Sequence, residues 1–492
     1  MSYKKEYDRS DAISIYEYSK QLIGHSLNSW SQQITNLVMD EGLGYKAKNK
    51  GDLGQNVERI FFKYDPNSSK KADFEEANLE LKCTGLRESY NKRGELKYLI
   101  KERLVCDIIN YIKDVDLEFE KSHFFVKCSR MLILFYLYQK DIGMLDLVFL
   151  KSVLWKLPKK DLLIIRQDYE TIIQKIKTGN AHLISESDTM YLAACRKGNG
   201  GEKDLRPQPY SDIKAYQRAF SLKPSYMRTV LQYVIEKGAD FATNFYEEGE
   251  IPQLVSQDDL EVSSFFDVIL SRFRNFYGKN YHELREVLLF KESGAKQKYA
   301  LAANAIISPR NSIKDTDRYD EFKKSGITVK TVRMNYNGSI DECMSFENID
   351  YVEIFENDVW EDSRLYEIFT TKFLFVVYKE AQENSSIIIA GKEEKEYKLY
   401  KAFFWSMPSS DLEEARLYWE NIRKNVMNNT IELNRFYKIA DHKKFHVRPK
   451  GTKQSYHLAA ENPNGGKADK FCYWFNSEYV KSIINNQEEK IA

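Results

Sequence analysis

A mixed α/β (α+β) chain built as two tandem domains is the fold that this sequence predicts, and three observations predict it. At 492 residues the chain exceeds what one hydrophobic core usually organises. Stretches with period-two alternation, such as "ANLELKCTG" from Ala77, lie beside stretches with helical spacing, such as "NKGDLGQNVERIFF" from Asn49. Several stretches of the first half are also echoed, in the same order, in the second.

Composition sets the bounds. Hydrophobic residues make up 42% and aromatics 14%, enough for packed cores. The chain begins "MSYKKEYDRSD", with no apolar segment after the basic residues, so neither a secretory signal nor a membrane anchor is expected. "MLILFYLY" from Met131 is too short to cross a bilayer and reads as a buried strand. Cys83, Cys106, Cys128, Cys195, Cys343 and Cys472 are scattered, with no zinc-ligand spacing, which suits a reducing cytoplasm. With 74 basic and 73 acidic residues the net charge is +1, so any nucleic-acid signal must be local. "RESYNKRGELKYLIKERL" (87–104) and "KIADHKKFHVRPKGTKQSYH" (438–457) could track phosphates, and they equally fit solvated surface.

In chain order, the first element of interest is the helix "NKGDLGQNVERIFF", whose apolar Val57, Ile60 and Phe61 leave Glu58 among them. Next comes "KKADFEEANLELKCTG", with Asp73, Glu80 and Lys82. A divalent metal that drives phosphodiester hydrolysis needs hard oxygen ligands, which two carboxylates and a main-chain carbonyl supply. Along a strand, Glu80 and Lys82 share a face while Leu81 turns to the core. The spacing alone arises by chance on the order of once or twice in a chain this charged. Its setting raises it: an alternating strand after an acid-rich segment, with Glu58 on a nearby helix.

These segments resemble the MutH family: the DNA mismatch-repair nicking endonuclease and its longer relatives, the type II restriction endonucleases that cut GATC. "SKQLIGHSLNSW" (19–30) is similar to the family's first helix and Gly-turn, and "NKGDLGQNVE" to its Lys-Gly helix ending in a catalytic glutamate, here Glu58. "DFEEANLELK" resembles its variant of the PD-(D/E)xK motif, giving Asp73, Glu80 and Lys82. "SHFFVKCSRMLIL" (122–134) resembles the start of a strand that carries a further active-site lysine, here Lys127. "GNAHLISESDTMYLAACRKGNG" and "RAFSLKPSYMRTVL" resemble the DNA-reading loop and the closing strand and helix. Ala72 replaces a proline common in such nucleases, and Ser221 stands where a base-contacting tyrosine is expected.

The echoes extend the resemblance to the second half. "QLIGHSLNSW" pairs with "NFYGKNYHEL", "DFEEANLELKCT" with "EFKKSGITVKTV", "SRMLILFYLY" with "TKFLFVVYKE", "DLLIIRQDYETI" with "DLEEARLYWENI", and "AHLISESDTMYLAACRKGNGG" with "FHVRPKGTKQSYHLAAENPNGG". The last pairing makes His182 equivalent to His446, both expected to be structural hydrogen-bonders. Two tandem MutH-like, restriction-endonuclease-like domains follow, each implied to be a mixed β-sheet flanked by helices. They span residues 1–238 and 255–492, with 239–254 as linker. In the second, Thr328 faces Glu80, Glu321 faces Asp73, Lys330 faces Lys82, Leu301 faces Glu58, and Ile368 or Phe369 faces Lys127. Threonine and apolar groups make poor metal ligands, so this copy should not cleave.

The resemblance implies a Mg²⁺-dependent nuclease, with Mn²⁺ a possible substitute. Asp73, Glu80, the Leu81 carbonyl and Glu58 would serve the metal, and Lys82 and Lys127 the nucleophile. DNA contacts fall to Ser185, Tyr191, Arg196, Lys197 and Lys223, and in the second copy to Arg448, Lys450 and Lys453. The expected partner is double-stranded DNA containing GATC, bound by a homodimer in the cytoplasm, with a cognate methyltransferase in the same system. A mismatch-repair nickase and a non-enzymatic DNA-binding scaffold are the alternatives.

Overall fold

The computed structural model describes residues 7–35, 50–66, 71–90, 93–198, 200–238, 253–295, 297–308, 319–441 and 443–487. Two compact units emerge, residues 1–261 with 323–326, and residues 262–322 with 327–492. Most of the expected linker, residues 239–252, lies outside the described residues.

In the first unit the strands are β1 (Glu80–Tyr90), β2 (Leu96–Ile100), β3 (Leu104–Ile108), β4 (Arg130–Leu137), β5 (Phe149–Lys156), β6 (Leu192–Arg196), β7 (Leu205–Gln208), β8 (Ser211–Tyr216) and β9 (Arg218–Leu222). Among the described residues they form a mixed sheet in the order β2-β1-β4-β5, a second sheet β3-β9-β6 and the hairpin β7-β8. β1 runs parallel to β4, which explains why β4 is apolar on both faces: Met131 to Tyr136 are all buried. The apolar stretch read as a strand is therefore the sheet's centre. The helix Lys159–Lys177 starts after Pro158 and buries Ile164, Ile165, Ile172, Ile173 and Ile176 at helical spacing.

The second unit repeats this plan. Its strands are β10 (Thr328–Met334), β11 (Met344–Asn348), β12 (Phe373–Glu380), β13 (Ser386–Ile389), β14 (Lys392–Lys395), β15 (Tyr397–Trp405), β16 (Phe445–Pro449), β17 (Ala460–Glu461), β18 (Lys467–Ala468) and β19 (Phe471–Phe475). Described residues give the sheets β10-β12-β15 and β11-β19-β16, with β10 parallel to β12. Glu80 pairs with Met131 and Thr328 with Phe373, the same register that the sequence echo assigns. Both long helices have 19 residues and follow a proline, Pro158 and Pro408. Each carries a buried first-turn aspartate that accepts a tyrosine hydroxyl from the helix after the unit's second sheet, Pro224–Lys237 or Ser477–Asn485: Tyr226 to Asp161 at 2.9 Å and Tyr479 to Asp411 at 2.5 Å.

One echo is out of step. Phe445 pairs with Phe475 as Leu192 pairs with Leu222, so His446 in β16 matches Ala193 rather than His182. His182 sits in a short turn and meets the Gln208 amide at 3.1 Å, whereas among the described residues neither ring nitrogen of buried His446 meets a partner with ordinary hydrogen-bond geometry. The hydrogen-bonding role expected of His446 is thus corrected. Its ring packs against Trp474 instead, 6.0 Å between centroids.

Candidate active site

Three local folds assemble the site. The helix Lys50–Asn56 continues into a π-turn, Val57–Phe61, which buries Val57 and Phe61 and carries Glu58 inward with them. Such turns shift the register of a helix face and recur at functional sites. A tight loop then forms between Phe74 and Leu79, which exchange backbone hydrogen bonds of 3.0 and 3.2 Å. Asn78 sits within it at φ 46°, a left-handed conformation that asparagine tolerates better than most residues. The loop folds Asp73 back on the start of β1: the Leu81 amide donates to Asp73 Oδ2 at 2.9 Å, and the Asp73 amide donates to Glu80 Oε2 at 3.2 Å. The third fold is the helix His123–Cys128, capped by Ser122 Oγ, which brings up Lys127. A helix just before β4, not the strand itself, thus holds this lysine.

Two ammonium groups converge on one carboxylate. Lys82 Nζ lies 2.8 Å from Glu80 Oε1 and donates to the Cys106 carbonyl at 3.0 Å, while Lys127 Nζ lies 3.4 Å from the same Glu80 oxygen. Leu81 between them is buried, as strand alternation requires. The acids strain one another. Burial first, then the charges of Asp73 and Glu80, push Glu58 up to about 8; burial and Glu80 push Asp73 up to about 6. For Lys82, burial alone works downward, but the surrounding Cys128, Glu80 and Cys106 outweigh it and hold the ammonium above its ordinary value.

This donor set fits a divalent cation. Asp73 and Glu80 offer hard oxygens at the mouth of β1, and a bound cation would relieve the repulsion that raises Asp73 and Glu58. Among the described residues no three acidic, histidine or cysteine side chains are gathered tightly enough to hold an ion by themselves, so main-chain oxygen, water or substrate must complete the shell.

Residues that sequence reasoning passed over also belong here. Among the described residues the buried Tyr64 hydroxyl meets no hydrogen-bond partner, and its proton is held tightly, first by burial and then by Asp73 and Glu58. Asp107 in β3 is raised by burial against the pull of Lys127. The Cys106 sulfur is held down chiefly by a hydrogen bond from Cys128, whose thiol burial pushes up. None carries a local signal: only the pairing of β3 beside the site brings Cys106 and Asp107 to it.

The expected DNA contacts separate into two groups. Arg196 is exposed at the end of β6, its guanidinium 4.3 Å from the Tyr216 ring centroid, and Lys197 follows it half-buried. Ser185 caps a short turn in a reciprocal capping box with Asp188. Tyr191 and Lys223, in contrast, are core residues: Tyr191 is 1% exposed and packs against Tyr226, and Lys223 is 5% exposed and donates to the Thr189 carbonyl. Both are corrected from DNA contacts to framework. Ser221 is equally buried, in β9. In the second unit Lys450 and Lys453 are exposed, and half-buried Arg448 lies 3.9 Å from the Trp474 ring centroid. Thr328 and Lys330 lie in β10, and Ile368 occupies the fifth position after the capping Ser363, as Lys127 does after Ser122.

A family model described as the DNA mismatch repair enzyme MutH matches residues 62–168, a span that holds Asp73, Glu80, Lys82 and Lys127 and stops short of Glu58. The type II restriction enzyme Sau3AI of Staphylococcus aureus is 30% identical, with 96% of this chain and 98% of that protein covered. A likeness running nearly end to end, joined to the fold and the clustered acids and lysines above, makes this chain a member of the MutH-like family of restriction endonucleases and a deoxyribonuclease.

Proposed function

We propose that the chain is a Mg²⁺-dependent type II restriction endonuclease that hydrolyses both strands of DNA at GATC, through one active site in its first domain. The observation that carries this is the convergence of Lys82 and Lys127 on Glu80, with Asp73 tied to the Leu81 amide. Asp73, Glu80 and the Leu81 carbonyl would hold Mg²⁺, with Mn²⁺ as a substitute and Glu58 in support. When bound, the ion supplies Lewis acidity to the attacking water and to the phosphoryl oxygen.

An ammonium that already donates to Glu80 and to a carbonyl has no lone pair to accept a proton. Lys82 therefore orients the water and offsets charge growing on phosphorus, and Lys127, beside the same Glu80 oxygen, shares this task. Water attacks in line, the 3′ oxygen leaves, and a 5′-phosphate end remains. Arg196 and Lys197 suit phosphate or base contacts on DNA. The second domain, with Thr328 and Ile368 at catalytic positions, would be a silent DNA-binding effector or dimerisation module.

A palindromic site and one active site per chain favour a homodimer assembled on DNA. A cognate methyltransferase would protect the host's own sites. Among the described residues no helix is long and apolar enough to cross a membrane. The family model's mismatch-repair description favours a nickase as the second reading. Incubating the protein with an unmethylated plasmid bearing several GATC sites, with Mg²⁺ or EDTA, separates them: discrete linear fragments support the restriction enzyme, and open circles alone support the nickase.

A further inference from the structure

Tyr64 is clamped beside the catalytic acids. Lys63 before it adopts φ 58°, a left-handed conformation that a lysine takes only at a cost. That turn sends the chain back, and the Tyr64 amide donates to the Glu58 carbonyl at 3.1 Å. The Tyr64 ring meets the ring of Phe74, the neighbour of Asp73, edge-on at 5.3 Å between centroids, and the Arg9 guanidinium lies 4.9 Å from its centre. Backbone and ring are thus fixed between the turn that carries Glu58 and the loop that carries Asp73.

The hydroxyl gains nothing from this clamp. It is buried and, among the described residues, meets no hydrogen-bond partner, which a fold tolerates only at a loss of stability. Burial, then the charge of Asp73, then that of Glu58 keep it protonated, so it is a donor and not a phenolate ligand. Of the nearby acids, Asp73 is the acceptor with room. Glu80 Oε1 takes Lys82 and lies 3.4 Å from Lys127, and Glu80 Oε2 takes the Asp73 amide. Asp73 Oδ2 takes the Leu81 amide, whereas Asp73 Oδ1 meets no donor among the described residues. Glu58 acts on the hydroxyl less strongly than Asp73 does.

We propose that Tyr64 is a positioning residue for Asp73, its hydroxyl donating to Asp73 Oδ1 and holding that carboxylate in place when it serves a divalent cation. One unmet donor and one unmet acceptor of the same site are thereby joined, and the strained turn at Lys63 gains a purpose. The proposal rests on the reading of Asp73 as a metal ligand and adds the side chain that steadies it.

The test is calorimetric titration of Mg²⁺ and of Ca²⁺ into the full-length protein, wild type against Tyr64→Phe, with thermal unfolding in EDTA and the Mg²⁺ dependence of plasmid cleavage alongside. Phenylalanine keeps the contacts with Phe74 and Arg9 and removes only the hydroxyl. Cation affinity is expected to fall about tenfold, the low end of what loss of a ligand's hydrogen-bonding partner costs. Half-maximal cleavage should need correspondingly more Mg²⁺, with a smaller change in the rate at saturation. The unfolding midpoint in EDTA should hold or rise, because an unmet buried hydroxyl is gone. Equal cation affinity in the two proteins would overturn the proposal. So would a lower midpoint in EDTA, which would give the hydroxyl a structural partner. A loss of rate at saturating Mg²⁺ with affinity unchanged would place the hydroxyl on the substrate phosphate, again against the proposal. Wild type that binds no cation and cleaves equally in EDTA would remove the metal reading itself, a result distinct from wild-type binding that Tyr64→Phe matches.

Discussion

Glu80, only 2% exposed, accepts from Lys82 Nζ and the Asp73 amide and lies 3.4 Å from Lys127 Nζ, so its removal leaves two half-buried ammonium groups without their shared counter-charge. Glu80→Ala is expected to abolish plasmid cleavage, while Lys127→Met, which keeps Lys82 on Glu80, should lower the rate by about 10²–10³-fold, the scale of losing one charge-stabilising donor. Gel assays in Mg²⁺ with duplex binding checked in EDTA decide this; cleavage by Lys127→Met at the wild-type rate would remove that lysine from the site. A second residue makes a pH prediction. Burial, with the Arg448 charge, pulls buried His446 down to about 4 from 6.5. Because the folded state disfavours the proton, stability is full above pH 6.5 and is lost as pH falls towards 4, by about 3 kcal/mol at most. Denaturant unfolding at pH 7.5 and 4.5 should show a smaller acid loss in His446→Phe than in wild type; equal losses would refute the assignment. At this scale Asp73, Glu80 and Lys82 were legible because a strand and one tight loop place them locally. Tyr64 and Asp107 were not, since burial and a separate strand bring them in.

Elements were legible where periodicity was strong, as in β4 and in the helix carrying Glu58, and the MutH-like echoes found both long helices. What the chain's pattern did not disclose was the offset around His446, because the short Phe-His-Val-Arg-Pro run of β16 looks like loop as easily as strand. Tyr191 and Lys223 were misplaced for a related reason: a tyrosine and a lysine near a reading loop look exposed until the packing of β6 on β9 closes over them. One buried carboxylate fixes that region. Asp168, on the long helix, accepts the amides of Met190, Tyr191 and Leu192 at 2.7, 2.7 and 2.9 Å, so the helix positions the turn that leads into β6 and on to Arg196. Asp168→Ala leaves three amides without their acceptor and is expected to cost about 3 kcal/mol or more. Thermal unfolding together with hydrogen exchange at residues 190–192 checks this, and slow exchange there in the variant would show that another acceptor suffices.

For the whole molecule, the decisive feature is the inequality of two domains with one strand plan. The first gathers Glu58, Asp73, Glu80, Lys82 and Lys127, while the second has Thr328 and Ile368 at two of the matching positions. On the proposed reading one chain offers one catalytic centre, and a palindromic target needs two cuts. If a second chain supplies the second cut, or a second DNA segment engages the silent domain, the rate depends on how many sites are available nearby. A plasmid with two GATC sites is expected to be linearised several-fold faster than one with a single site at equal site concentration, because the second site is held at high effective concentration on the same molecule. The single-site plasmid should accumulate open circles first, and adding a short GATC duplex should accelerate its linearisation. Equal rates on both plasmids, with no open-circle intermediate and no response to the duplex, would mean that a preformed pair of chains cuts both strands in one encounter, and the second domain would then be a dimer contact rather than an effector.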